Sequence, residues 1–335
     1  MTEKFNKCKK NSRKIVTILL VSLLLTGCET DISVFDNYEI PLSQSSEQDI
    51  SEGTTADNID SEFLSADICV VPKKKQSQKD SFMTAEASLI FDNTHNKMLY
   101  ADNIYTKMYP ASTTKIVTAL VALKYGNLND EVTISYNATH INEYGAKLCG
   151  FAEGDKITLK KLLYSFLICS GNDAGIAIAE HIAGSVDKFA AMMNKEVKAL
   201  GCSGSNFVNP HGLHDDNHYT TPYDLYLVFH ELLKYDVFMD IINHSSYKAE
   251  FNGADGNKKT LWFTSTDKYL LGSAKAPEGV TVIGGKTGTT SMAGSNLILY
   301  SKNSNGNSYI SVVMHASDSF SLYSQMSHLL ELENQ

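Results

Sequence analysis

The sequence predicts a mixed α/β domain of the α+β kind, in which helices pack on an antiparallel sheet built from both termini and a helical lobe is inserted between them. Three observations predict it. A hairpin pattern opens the globular region, with Ala87–Phe91 (ASLIF) and Lys97–Ala101 (KMLYA) flanking Asp92-Asn93-Thr94-His95-Asn96. Two further strand patterns, 295–302 and 308–315, close it across Asn305-Gly306. Between these ends, apolar residues recur with helical spacing.

The first 28 residues stand outside that domain. Lys4, Lys7, Lys9, Lys10, Arg13 and Lys14 precede an apolar run from Ile15 to Leu25, which is too short to span a bilayer comfortably. The layout is that of a secretory signal. Leu25-Thr26-Gly27-Cys28 resembles the lipobox of bacterial lipoproteins, which implies lipidation of Cys28, anchoring to the cell membrane and an extracytoplasmic location. Residues 29–81 read as a disordered acidic tether. Glu29 to Asp67 holds eleven acids and no Lys or Arg, so it cannot bury enough apolar surface to offset its chain entropy. The globular domain is expected over 82–335.

Charge narrows the function. The whole chain of 335 residues carries −9, and loss of the +5 of residues 1–28 leaves −14. An acidic surface is a poor partner for nucleic acid. Arg13 is the only arginine. Beyond the signal, anions must be held by lysines, hydroxyls or backbone N–H groups. Cys69, Cys149, Cys169 and Cys202 remain beyond residue 28; Cys149 and Cys169 sit in apolar surroundings, and free thiols are expected.

Within the domain, a helix is expected from Ala111 to Tyr125 and others at 158–169, 172–183, 185–200 and 222–234. Val280–Ile283 reads as a strand, and 317–333 as a helix packed back on the sheet. Three polar clusters interrupt the apolar periodicity. Ser112-Thr113-Thr114-Lys115 follows Pro110, which suits a helix start. Ser112 and Lys115, three apart, share a helix face. A serine hydroxyl needs a neighbour to take its proton, and a lysine does so only when burial keeps it neutral. Ser170-Gly171-Asn172 sits between two apolar helices, where it can project a hydroxyl and an amide into a cleft. Lys286-Thr287-Gly288-Thr289-Thr290 continues a strand whose edge offers unpaired backbone groups to a peptide. Each cluster alone also has a structural explanation: a helix cap, a turn, a glycine-rich bend. His211, His214, Asp215, Asp216 and His218 have the composition of a metal site, but Pro210, Gly212 and Asn217 make their segment a loop, so no metal or other cofactor is expected.

The three clusters occur in the order S-x-x-K, S-x-N, K-T-G, the set found in penicillin-binding proteins and class A β-lactamases. With Asn209-Pro210-His211-Gly212-Leu213, residues 82–335 resemble the low-molecular-weight penicillin-binding proteins, serine D-alanyl-D-alanine carboxypeptidases of the β-lactamase/transpeptidase-like fold. The resemblance implies Ser112 as acylated nucleophile, Lys115 as general base, Ser170 as proton relay and Asn172 as a positioning group. It implies substrate binding by Lys286, Thr287, Gly288 and Thr289, with Lys286 holding the terminal carboxylate and the backbone N–H groups of Ser112 and Thr289 forming an oxyanion hole. The implied partners are peptidoglycan stem peptides ending in D-Ala-D-Ala, with β-lactams as inhibitors; oligomeric state is left open. Relatives often add a β-rich domain, an amphipathic anchor and a downstream arginine at the carboxylate site; none of these fits the sequence here, and a lipid on Cys28 is the expected anchor. The alternatives are a class A-like β-lactamase or an inactive wall-binding lipoprotein. Against the first, no Glu-x-x-Leu-Asn pattern lies between Asn172 and Lys286.

Overall fold

In the computed structural model, residues 68–335 are described, Tyr144 excepted. The expected signal, Cys28 and the tether up to residue 67 lie outside the described residues. The hairpin forms as β1 (Ala87–Asp92) and β2 (Lys97–Asp102). Its turn is held by the Asp92 carboxylate, which accepts from the N–H groups of Thr94 and His95 at 2.9 Å each. The next segments are α1 (Lys115–Tyr125), β3 (Glu131–Thr133), α2 (Tyr136–Thr139), β4 (Lys156–Thr158), α3 (Leu159–Cys169), α4 (Asn172–Ala183), α5 (Val186–Ala199), α6 (Pro222–Leu232) and α7 (Asp236–Ile242). Then come β5 (Ser246–Asn252), β6 (Lys258–Thr264), β7 (Val280–Thr290), β8 (Gly294–Asn303), β9 (Ser308–Ala316) and α8 (Ser319–Leu330).

The main sheet has the order β2-β1-β9-β8-β7, every pair antiparallel. β1 pairs with β9 from Ala87↔Met314 to Asp92↔Tyr309, which brings both ends of the domain into the sheet centre. Alternate side chains serve two cores. Leu89, Phe91, Ile298, Val312 and Met314 face the helical lobe, while Ile90, Leu297, Leu299 and Val313 meet Leu322, Met326, Leu329 and Leu330 of α8. Both faces are covered, so these strands read as nearly continuous apolar runs. Truncating one of the buried α8 leucines to Ala removes about 2–5 kcal/mol. In the lobe, α1 packs against α3, α4, α5 and α6, and Ile116 to Ala122 are all buried. Side chains cap several helix starts: Thr221 Oγ1 accepts from Asp224 N at 3.1 Å, with Pro222 opening α6.

Two expectations change. A second sheet, β3-β4-β5-β6, was not evident from the sequence. β3 and β4 are three residues each, too short for a periodic signal, and β5 and β6 bury one face only. Residues 68–81, expected in the tether, pack on the domain instead. Cys69 and Val71 are buried, Cys69 N donates to Tyr226 Oη at 2.8 Å, and Ser77 N donates to Ala101 O at 2.7 Å. The stretch is held by tyrosines of the domain: Tyr223 Oη donates to Cys69 O at 3.0 Å, and Tyr105 Oη donates to Val71 O.

Candidate active site

A tight 3-10 turn, Ala111–Thr114, leads into α1 and carries Ser112. Its shape is fixed from several sides. Ala111 adopts φ +47°, Thr113 Oγ1 donates to Pro110 O at 2.7 Å, and Asn296 Nδ2 from β8 donates to Tyr109 O and Pro110 O at 3.1 and 3.2 Å. Gly212 abuts the same turn: a Cβ there would lie 1.8 Å from Ala111 O, and its φ of +88° is the left-handed region that favours glycine.

Lys115 sits one turn after Ser112 and is fully buried. Its Nζ lies 2.9 Å from Ser112 Oγ, 2.8 Å from Asn172 Oδ1 and 2.7 Å from His211 O. Burial, and secondarily the nearby Lys286 amine, hold its pKa well below the ordinary lysine range. The contacts agree with an uncharged amine. Asn172 Oδ1 and His211 O are acceptors that can take the two N–H bonds of a neutral –NH₂, which leaves its lone pair available to the Ser112 hydroxyl. An amine so placed can remove the proton of that hydroxyl.

Ser170 closes α3 with φ +65°, and Asn172 opens α4. The turn is zipped to the segment before it: Asn172 N donates to Lys147 O at 2.7 Å, and the Asp173 carboxylate accepts from Cys149 N and Gly150 N at 2.8 and 2.9 Å. β7 lies on the other side. A Cβ at Gly288 would be 2.8 Å from Pro110 O, Ser112 N and Thr113 N, so only glycine lets the strand run this close to the Ser112 turn.

These elements enclose a cleft of about 780 Å³ lined by Ser112, Ser170, Asn172, Thr287, Gly288 and Thr289. All four segments singled out from the sequence, the 209–213 loop through Gly212 and Leu213, thus converge. Lys286 is the exception in detail. Its side chain is 2% exposed, its Nζ donates to Thr287 O at 2.7 Å, and it is not among the residues that line the cleft. Burial first, then the charge of Lys147, pushes its pKa down to about 7.

The cleft also has walls that sequence reasoning missed: Glu143, Lys147, Thr266, Lys268 and Tyr323. Lys147 is brought in by the Asp173 tie, and Thr266 and Lys268 by the loop after β6, where Thr287 Oγ1 donates to Thr266 Oγ1 at 2.5 Å. No local sequence signal marks them. The histidine loop is structural. Asn209 Oδ1 accepts from Gly212 N at 2.7 Å, and His218 Nε2 pairs with Thr114 Oγ1 at 2.7 Å. Burial lowers His211 to about 3 and His218 to about 4, so both are neutral at physiological pH. Among the described residues no group of side chains is arranged to hold a metal ion, and no helix is long and apolar enough to cross a membrane.

Residues 73–318 match the family model described as D-alanyl-D-alanine carboxypeptidase. The chain is 32% identical over 252 residues to D-alanyl-D-alanine carboxypeptidase DacF of Bacillus subtilis, covering 74% of this chain and 61% of that one. It is 33% identical over 238 residues to DacA of Haemophilus influenzae, covering 69% and 57%. It therefore spans about three fifths of the length of these curated relatives. Its fold is similar to the Streptomyces K15 DD-transpeptidase, with a TM-score of 0.70, 26% identity and coverage of 77% of this chain and 99% of that one. It is also similar to penicillin binding protein 5 from Haemophilus influenzae, with a TM-score of 0.66, 29% identity and coverage of 76% and 72%.

Proposed function

Since the chain belongs to the D-alanyl-D-alanine carboxypeptidase family of peptidases, we propose that it removes the terminal D-alanine from peptidoglycan stem peptides through an acyl-enzyme on Ser112. The observation that carries this reading is the buried Lys115 amine, 2.9 Å from the Ser112 hydroxyl and hydrogen-bonded to Asn172 Oδ1 and His211 O.

In the proposed reaction Lys115 takes the Ser112 proton as Oγ attacks the carbonyl of the penultimate D-Ala. The backbone N–H groups of Ser112 and Thr289 receive the developing oxyanion, a contribution of several kcal/mol in comparable sites, about 3–4. Ser170 passes the proton from Lys115 to the departing amine. Asn172 holds Lys115 and donates its amide to the substrate. Water then hydrolyses the ester with Lys115 again as base. The terminal carboxylate sits against the hydroxyls of Thr287 and Thr289. Lys286 acts on it from its buried position in β7; its pKa near 7 means that an arriving anion draws a proton onto it. Lys268, on the cleft wall, adds an ammonium in a chain whose only arginine is Arg13.

The same reading places the domain outside the cytoplasm, tethered through a lipid on Cys28. A Cys28→Ser variant is then released from membranes, and retention of that variant in the membrane fraction contradicts the anchor. The activity is tested by D-alanine release from a diacetyl-Lys-D-Ala-D-Ala tripeptide, together with the intact mass after penicillin. Release and one adduct per chain, both lost in Ser112→Ala, are expected. A well-folded protein that gives neither refutes the assignment. Rapid, repeated turnover of nitrocefin instead favours the β-lactamase alternative.

A further inference from the structure

Two of the four thiols beyond residue 28 meet next to Ser170, which lines the cleft. Cys149 Sγ and Cys169 Sγ are 3.2 Å apart, whereas Cys69 and Cys202 are each buried away from any other thiol. Cys169 is the residue immediately before Ser170. Cys149 belongs to the segment zipped to the Ser170-Gly171-Asn172 turn, and a Cβ at Gly171 would lie 2.3 Å from Cys149 Sγ and 2.6 Å from Cys149 N. The two sulfurs therefore bracket the turn that carries the relay hydroxyl and the lysine-holding amide. Free thiols describe the reduced state; the geometry describes what oxidation would do to it.

We propose that Cys149 and Cys169 form an oxidation site at which a hydroperoxide closes a disulfide and slows acylation of Ser112. The proposal rests on the acyl-enzyme reading given above. The two thiols are unequal. The Cys149 thiol hydrogen-bonds to Cys169 Sγ and so favours its thiolate, while burial pushes Cys149 itself upward. Cys169 is the attacking sulfur. Its thiolate displaces alkoxide or hydroxide from the O–O bond, giving a sulfenic acid and, after proton uptake, one alcohol or water. The Cys149 thiol then attacks the sulfenic sulfur. The S–S bond forms, the S–OH bond breaks, and water leaves with the thiol proton. The pair loses two electrons and the hydroperoxide gains them. Hydrogen peroxide is small enough for this half-buried corner, where Cys149 is partly exposed and Cys169 is 7% exposed.

Bond formation draws the sulfurs from 3.2 Å to about 2.05 Å. Gly171 is already in contact with Cys149, so the residual movement is passed to the 170–172 turn. Asn172 Oδ1 is 2.8 Å from Lys115 Nζ, and a displacement of about 1 Å in a catalytic group can cost about a hundredfold in rate.

The test treats the full chain with hydrogen peroxide, maps thiols and disulfides by mass spectrometry, and measures the rate of acylation by a fluorescent penicillin before and after. A Cys149–Cys169 linkage, a rate at least about tenfold lower, and recovery with dithiothreitol are expected. Cys149→Ser and, separately, Cys149→Ala keep their acylation rate in peroxide. Free thiols after treatment, a linkage with unchanged acylation, or equal peroxide sensitivity in the Cys149 variants each overturn the proposal. Failure of the reduced protein to acylate refutes the acyl-enzyme reading instead, and the mapped linkage still tests the bond itself.

Discussion

Replacing Lys286 with methionine separates charge from packing in the K-T-G strand. Methionine keeps the apolar stem and removes the titrating amine. In the folded chain that amine is held near pKa 7 against an ordinary 10.5, because burial penalises the ammonium. Between those values the unfolded chain binds a proton that the folded chain does not. Stability from this group is thus fully present above the unfolded value and is lost as pH falls toward the folded one. The slope in the window is about 1.4 kcal/mol per pH unit, and the accumulated loss at neutral pH is about 4 kcal/mol. The variant lacks this slope. It leaves Thr287 O without its donor, a cost of about 1–3 kcal/mol, but one independent of pH. Urea unfolding of both proteins at about pH 7.5 and about pH 9 reads the difference: the parent gains about 2 kcal/mol more than Lys286→Met across that interval. Parallel behaviour within about 0.5 kcal/mol would refute the claim that the Lys286 amine is substantially desolvated.

Asn172→Ala removes an acceptor from a buried amine N–H, so unfolding free energy falls by about 1–3 kcal/mol and penicillin acylation by about ten- to a hundredfold, checked by urea melts and adduct kinetics. In Gly288→Ala the new methyl meets three backbone atoms at 2.8 Å; acylation falls by at least about tenfold while stability falls by about 1–3 kcal/mol, and unchanged acylation in the folded variant contradicts the described approach of β7 to Ser112.

Much of this site was legible in the sequence because its members lie at the ends of apolar segments. A polar residue that interrupts a buried helix or strand needs a partner, and Ser112, Lys115, Ser170 and Asn172 are such interruptions. The sheet ends were legible for a related reason. β1, β8 and β9 are apolar on both faces, and the Asn305-Gly306 turn marks their register, with Gly306 at φ +84°. The illegible parts depend on distance in sequence. Lys147 reaches the cleft only because Asp173 and Asn172 tie down its segment, and Lys268 only because β6 ends beside β7. Lys286 lies in the expected strand, but its amine is buried and is not among the residues lining the cleft, a depth that the strand pattern does not encode. The buried stretch at Cys69 was hidden by its polar neighbours.

The account depends on an uncharged Lys115 beside the Ser112 hydroxyl. Nitrogen NMR of lysine-labelled protein, with Lys115→Arg to assign the signal, reads its protonation directly across pH. The account predicts a Lys115 signal that converts between amine and ammonium well below the ordinary lysine range. An ammonium signal that persists through neutral pH and titrates in the ordinary lysine range contradicts it.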